Sequence, residues 1–101
     1  MSELPGRAAF VGCLHTCFQI VDDPVAGFEL ELAEVTDLKI FPRQESFSLI
    51  FQAPASRYLP QQIYRLVHNR LGEMELFLVP VGHQGNSFLY EVIFNHLLPT
   101  A

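Results

Sequence analysis

A chain of 101 residues with 50% hydrophobic but only 17% charged side chains has the length of one domain and a core's worth of apolar volume. It also has a thin coat of charge, since ordinary globular chains carry about 25%. A net charge of −5 with only six Lys and Arg, scattered along the chain, excludes nucleic-acid backbones and anionic membrane surfaces as partners, because both need clustered cations.

No stretch reaches the roughly 18 apolar residues that span a bilayer, and no basic region followed by an apolar run opens the chain. The expectation is a single domain over residues 1–101, cytoplasmic, with service in an exported assembly left open. In chain order, Ala8-Ala9-Phe10-Val11 is long enough for one helical turn, from which Phe10 can plug an open end of a core. Leu14 to Val21 reads as a first strand, ended by Asp22-Asp23-Pro24. Gly27 to Val35 alternates, with Phe28, Leu30 and Leu32 inward and Glu29 and Glu31 in water. Lys39 to Gln44 reads as a connection. Ser46 to Gln52 is a strand with Phe47, Leu49 and Phe51 inward, and Ala53 to Pro60 is a loop crossing one end, anchored by Tyr58 and Leu59.

Gln61 to His68 is a further strand, and Asn69-Arg70-Leu71-Gly72 turns the chain, with Gly72 free to take a positive φ. Met74 to Val81 and Phe88 to Phe94 then form a hairpin around Gly82 to Ser87, completing a three-strand meander. The expected fold is all-β: a compact antiparallel barrel or sandwich of about six strands with a short N-terminal helical turn. The tail His96 to Ala101 has no periodicity.

Catalytic chemistry finds no foothold. Glu29 and Glu31 are solvated carboxylates on the wet side of a strand. His15, His68, His83 and His96 show no HxH or HExxH spacing, so no metal, cofactor or catalytic residue is expected, and His68 reads as a hydrogen-bonded structural group. Cys13 and Cys17 have no cation beside them to lower a thiol pKa and are expected buried and reduced. Glu91 is placed to pair with Arg65 across the sheet.

The hairpin is apolar on both faces: Leu76 and Leu78 on one, Phe77, Val79 and Val81 on the other, beyond the outward Glu73 and Glu75. A fold with one interior can bury only one of them. The second is covered either by a loop of the same chain or by a protein partner, a second copy included. Pro80 deletes a ladder donor and belongs at an edge or bulge, which suggests strand addition as a docking mode. The expected contact residues are Phe77, Val79, Pro80, Val81, Phe88 and Tyr90. The expected function is a non-enzymatic structural or interaction module that forms a homo-oligomer or docks a protein through β edges and this hairpin. The alternative is a small barrel holding an apolar ligand, with Tyr58, Tyr64 and Tyr90 as polar handles.

Leu59-Pro60-Gln61-Gln62 with Tyr64, His68 and Leu71-Gly72, then Leu76 to Gly82 (LFLVPVG), then Tyr90-Glu91-Val92 with Phe94-Asn95 resemble a family of small bacterial proteins of unknown function. Its members read LPQGxYRLEHPxLG, LFLVPVG and YEAVFN. Phe47 to Pro54 is similar to its FxLLFxGP stretch, and Leu14 to Phe18 resembles its LxGxxF start, with His15 where Gly is usual. Gln62 for Gly and Asn69 for Pro are further departures. The resemblance implies a small β-rich module without assigned activity, and inclines toward a part in a tail-like or filamentous assembly.

Overall fold

Alternation in the earlier strands leaves each with one face to bury, and a chain this short does so by wrapping one sheet around its own side chains. A computed structural model describes residues 4–97. The elements are α1 (Arg7–Val11), β1 (Cys17–Ile20), β2 (Glu29–Val35), β3 (Lys39–Phe41), β4 (Gln44–Pro54), β5 (Gln62–His68), β6 (Gly72–Gln84) and β7 (Ser87–Leu97). The sheet runs β2-β1-β5-β6-β7-β4-β3, and a further β2–β4 pairing closes six strands into an antiparallel barrel with β3 as an extension. The β5, β6 and β7 meander is present, and the architecture is a barrel rather than a sandwich.

Register sets the interior. Phe18 faces Leu30, Leu32 faces Phe51, Phe51 faces Tyr90, Leu49 faces Val92, and Tyr64 faces Leu76. All of these are buried, so each paired strand adds a layer to one core. Phe18 meets Phe51 edge-on at 5.1 Å.

Both ends are stoppered. At one, Phe10 of α1 is fully buried and lies 5.5 Å from Phe94, which stacks on Phe47 at 4.9 Å. A five-residue helix has little stability of its own; Arg70 holds it by donating from its guanidinium to the Gly12 carbonyl (2.7 Å), and Arg7 donates to the Thr36 carbonyl (2.9 Å). At the other, the loop of residues 55–61 drops Leu59 into the lumen, where its backbone N–H donates to the Tyr90 hydroxyl (3.0 Å). The Tyr64 hydroxyl donates to the Pro60 carbonyl (2.7 Å).

Several sequence expectations are corrected. The first strand does not begin at Leu14: residues 14–16 turn, His15 has φ 66, and its N–H bonds Leu32 O at 2.7 Å, so β1 starts at Cys17. That φ favours glycine, the residue usual at this position in the resembling pattern. Lys39 to Gln44 is not a plain connection, because Pro42-Arg43 turns the chain tightly and lays β3 against the start of β4. β4 continues to Pro54, inside the expected loop, through its pairing with Ser87. The hairpin link is shorter than expected, with Gln84 and Ser87 already paired around Gly85-Asn86 and Gly85 at φ 58. Tyr58 is exposed against Phe88 rather than an anchor, and Cys17 is exposed although Cys13 is buried; both thiols are free. His96 and Leu97 belong to β7, while the expected irregular tail at residues 98–101 lies outside the described residues. Gly72 has φ 77 as the turn requires, and Pro80 sits at a register shift of the β6–β7 ladder, where its missing N–H costs no regular bond.

Candidate functional site

On β6 the residues Met74, Leu76 and Leu78 enter the lumen, so Glu73, Glu75, Phe77 and Val79 face out. Phe77 is 46% exposed and its register partner Ile63 on β5 is 61% exposed. On β7, Ile93 (59% exposed) lies two residues beyond the Val79–Glu91 pair, on the same outward side. Val81, at the bulge, is 51% exposed. The second apolar face of the hairpin is thus left in water by the described residues, and no loop among them covers it.

The six expected contact residues divide. Phe77 and Val81 are exposed, Val79 and Pro80 are half-buried beside them, and Phe88 is half-buried under Tyr58 at 5.7 Å. Tyr90 is away from this surface: it points into the lumen, fully buried, and its hydroxyl holds Leu59. Ile63 and Ile93 join the surface in its place. Their outward side was legible, because Arg65 and Glu91 share their parity along β5 and β7.

Barrel closure changes the edges. Strands β1, β2, β4, β5, β6 and β7 each pair on both sides over part of their length, and β3 alone ends the sheet. With three residues, Lys39 on it and Pro42 after it, β3 has the features that discourage strand addition.

The wall around the apolar stripe is acidic. The outward positions of β5, β6 and β7 carry Glu73, Glu75 and Glu91 against the cation Arg65, which lies 3.7 Å from Glu73, while Glu29, Glu31 and Glu34 stand on β2, across the barrel from β6. Arg65 therefore pairs along β6 rather than with Glu91, whose register partners are Val79 and Ile50.

A second cluster surrounds His68, at the mouth of a surface depression of about 610 Å³ that Thr16, Cys17 and Arg70 also line. The backbone N–H groups of Arg70 (3.1 Å) and Leu71 (3.3 Å) donate to Nδ1 of His68. That makes Nδ1 the acceptor and puts the ring proton on Nε2, which then donates to Oγ1 of Thr16 at 2.8 Å. The Thr16 hydroxyl in turn donates a hydrogen bond to the Cys13 carbonyl at 2.6 Å. The imidazole therefore gives a hydrogen bond to the hydroxyl instead of drawing its proton, the reverse of what a nucleophile needs. Burial, and next the nearby Arg70 charge, lower the His68 pKa from its ordinary value. Cys17, though exposed, is pushed the other way, up, by the partial desolvation of its sulfur and by the carboxylates of Glu29 and Glu31, which keeps the thiol protonated. Among the described residues no three His, Cys, Asp or Glu side chains gather as metal ligands, and no helix is long and apolar enough to cross a membrane.

The His68 geometry carries a pH dependence. The folded protein resists a proton that the unfolded chain accepts near pH 6.5, so the stabilisation is fully present above that pH and is lost as pH falls through the lower folded-state value. The urea midpoint of the native protein is expected to drop between about pH 7.5 and pH 5.5 by more than that of His68→Gln. Equal drops in the two proteins would show that His68 does not contribute.

Compared with known proteins, residues 5–94 match a family model described as Domain of unknown function (DUF6916). No curated protein and no solved structure matches the chain.

Proposed function

Because the chain belongs to this family of domains of unknown function, whose description assigns no activity, we propose from the barrel's own surface that it is a non-enzymatic interaction module that docks a protein on its outer wall. The observation that carries the reading is the exposed row of Phe77, Ile63, Ile93 and Val81 on a barrel whose core is already complete without them. Fully burying side chains of this size is worth roughly 1.5–3 kcal/mol each, and with about half of each still exposed a docked protein recovers about half of that. The His68 cluster, with its proton directions fixed away from a nucleophile, supports a structural role at that end. The lumen is filled by Phe18, Phe51, Tyr64 and Tyr90, which gives the apolar-ligand alternative little support. Participation in a larger assembly is compatible with this face, but β-edge addition is a poorer route than the wall, given the short, guarded β3.

The test separates docking from folding. Phe77→Ser is expected to cost less than about 1 kcal/mol of stability, the scale of one exposed cross-strand pair, while abolishing co-purification of any partner retained by the native chain. A loss of more than about 2 kcal/mol in urea unfolding, or identical partner retention by native and variant proteins, would remove the reading.

A further inference from the structure

Phe77 and its register partner Ile63, with Ile93 on the same outward side of β7, form an apolar patch, and β5, β6 and β7 around it carry Glu73, Glu75 and Glu91 against Arg65. Those two facts select among occupants. Exposed at about half each, these side chains offer on the order of 300 Å² of apolar surface, so much of the roughly 800 Å² per partner of a standard stable interface must come from the charged wall around them. A second copy would also bring its own net charge of −5 and its own glutamates against Glu75 and Glu91, a like-charge contact that slows encounter and weakens the complex. A segment of opposite charge gains from the same field.

Spacing narrows the choice further. Neighbouring strands lie about 4.8 Å apart, close to the 5.4 Å rise of one helical turn. Side chains on one face of a helix laid across β5 and β6 therefore fall beside the register pair Ile63 and Phe77, with Ile93 of β7 on the same outward side. Lysines or arginines on the flanks of that helix come beside Glu75 on one side of the row and Glu91 on the other, both outward and among the described residues without a salt bridge. Resting on the reading of the wall as a docking face, we propose that its partner is a cationic amphipathic helix of another protein, seated across the strands at Phe77, and not a second copy of the chain.

The experiment uses two fluorescently labelled synthetic helical peptides with the same leucine face, one with lysines and one with glutamates on the polar face, titrated with the full-length protein. The lysine peptide is expected to bind, about tenfold more weakly at high than at low salt, and the glutamate peptide is expected not to bind. Ile63→Ser and Phe77→Ser, each checked for native circular dichroism, are expected to weaken the lysine peptide about tenfold. Glu75→Gln with Glu91→Gln is expected to flatten the salt dependence. No binding of the lysine peptide, equal binding of both peptides, or lysine-peptide binding indifferent to Phe77→Ser would overturn the proposal. Sedimentation velocity of the protein alone distinguishes the two levels of inference: a dimer dispersed by Phe77→Ser overturns the cationic helix yet keeps the docking face. A monomer that binds neither peptide and retains no partner overturns both.

Discussion

Phe10→Ala is expected to lower the free energy of unfolding by about 3–5 kcal/mol, the usual cost of truncating a fully buried phenylalanine. The reason is positional as well as volumetric. α1 has five residues, no side-chain N-cap and no basic residue in its last turn, so it is held mainly by what it buries. Phe10 is the one buried residue on it, set against Phe94 and through that ring against Phe47. Removing the ring leaves a void at an open barrel mouth and frees the anchor of the helix together, against a total stability for a domain of this size of about 5–15 kcal/mol. Urea unfolding at neutral pH measures it. A cost below about 1 kcal/mol would mean that α1 peels away without opening the core.

At the opposite mouth Leu59→Ala is expected to cost about 2–5 kcal/mol and Tyr90→Phe about 1–3 kcal/mol. Leu59 is fully buried although it lies in a loop, so alanine leaves a cavity. Phenylalanine at position 90 keeps the ring but leaves the Leu59 N–H buried without its acceptor. The Tyr90 phenol accepts this bond as a neutral group, since burial raises its pKa by more than the Leu59 bond lowers it. The two residues share one contact, and the double variant should lose less than the sum of the singles. Strict additivity in the unfolding free energies would show that the hydrogen bond and the packing of Leu59 are independent, contrary to this picture.

How much of this was readable in the sequence follows from which interactions are local. Alternation in β2, β4 and β6 placed Leu30, Leu32, Leu49 and Phe51 inward and Glu29 and Glu73 outward, and the structure agrees. The plug at Phe10 and the positive φ at Gly72 were also legible. β3 was not, because all three of its residues are exposed and it exists only through pairing with β4. Closure through the β2–β4 pairing joins segments that no local pattern links. At the candidate surface, Glu73 and Glu75 marked Phe77 as outward. Tyr90 was expected on that surface although the parity of Glu91 places it inward, and the reason a phenol sits in the core, the Leu59 N–H from a loop 31 residues earlier, could not be read from spacing.

The ladder between β4 and β7 runs for eleven register pairs, from Pro54–Ser87 to Gln44–Leu97, joining residues 33 (87 − 54) to 53 (97 − 44) positions apart. Chain entropy makes such distant partners slow to meet, whereas the β5, β6 and β7 meander needs only short turns. A folding chain therefore closes the β6–β7 hairpin before β7 has found its other neighbour. Until β4 arrives, the kinetic bottleneck leaves one flank of β7 as an unsatisfied template, and at high concentration misassembly would begin on that flank.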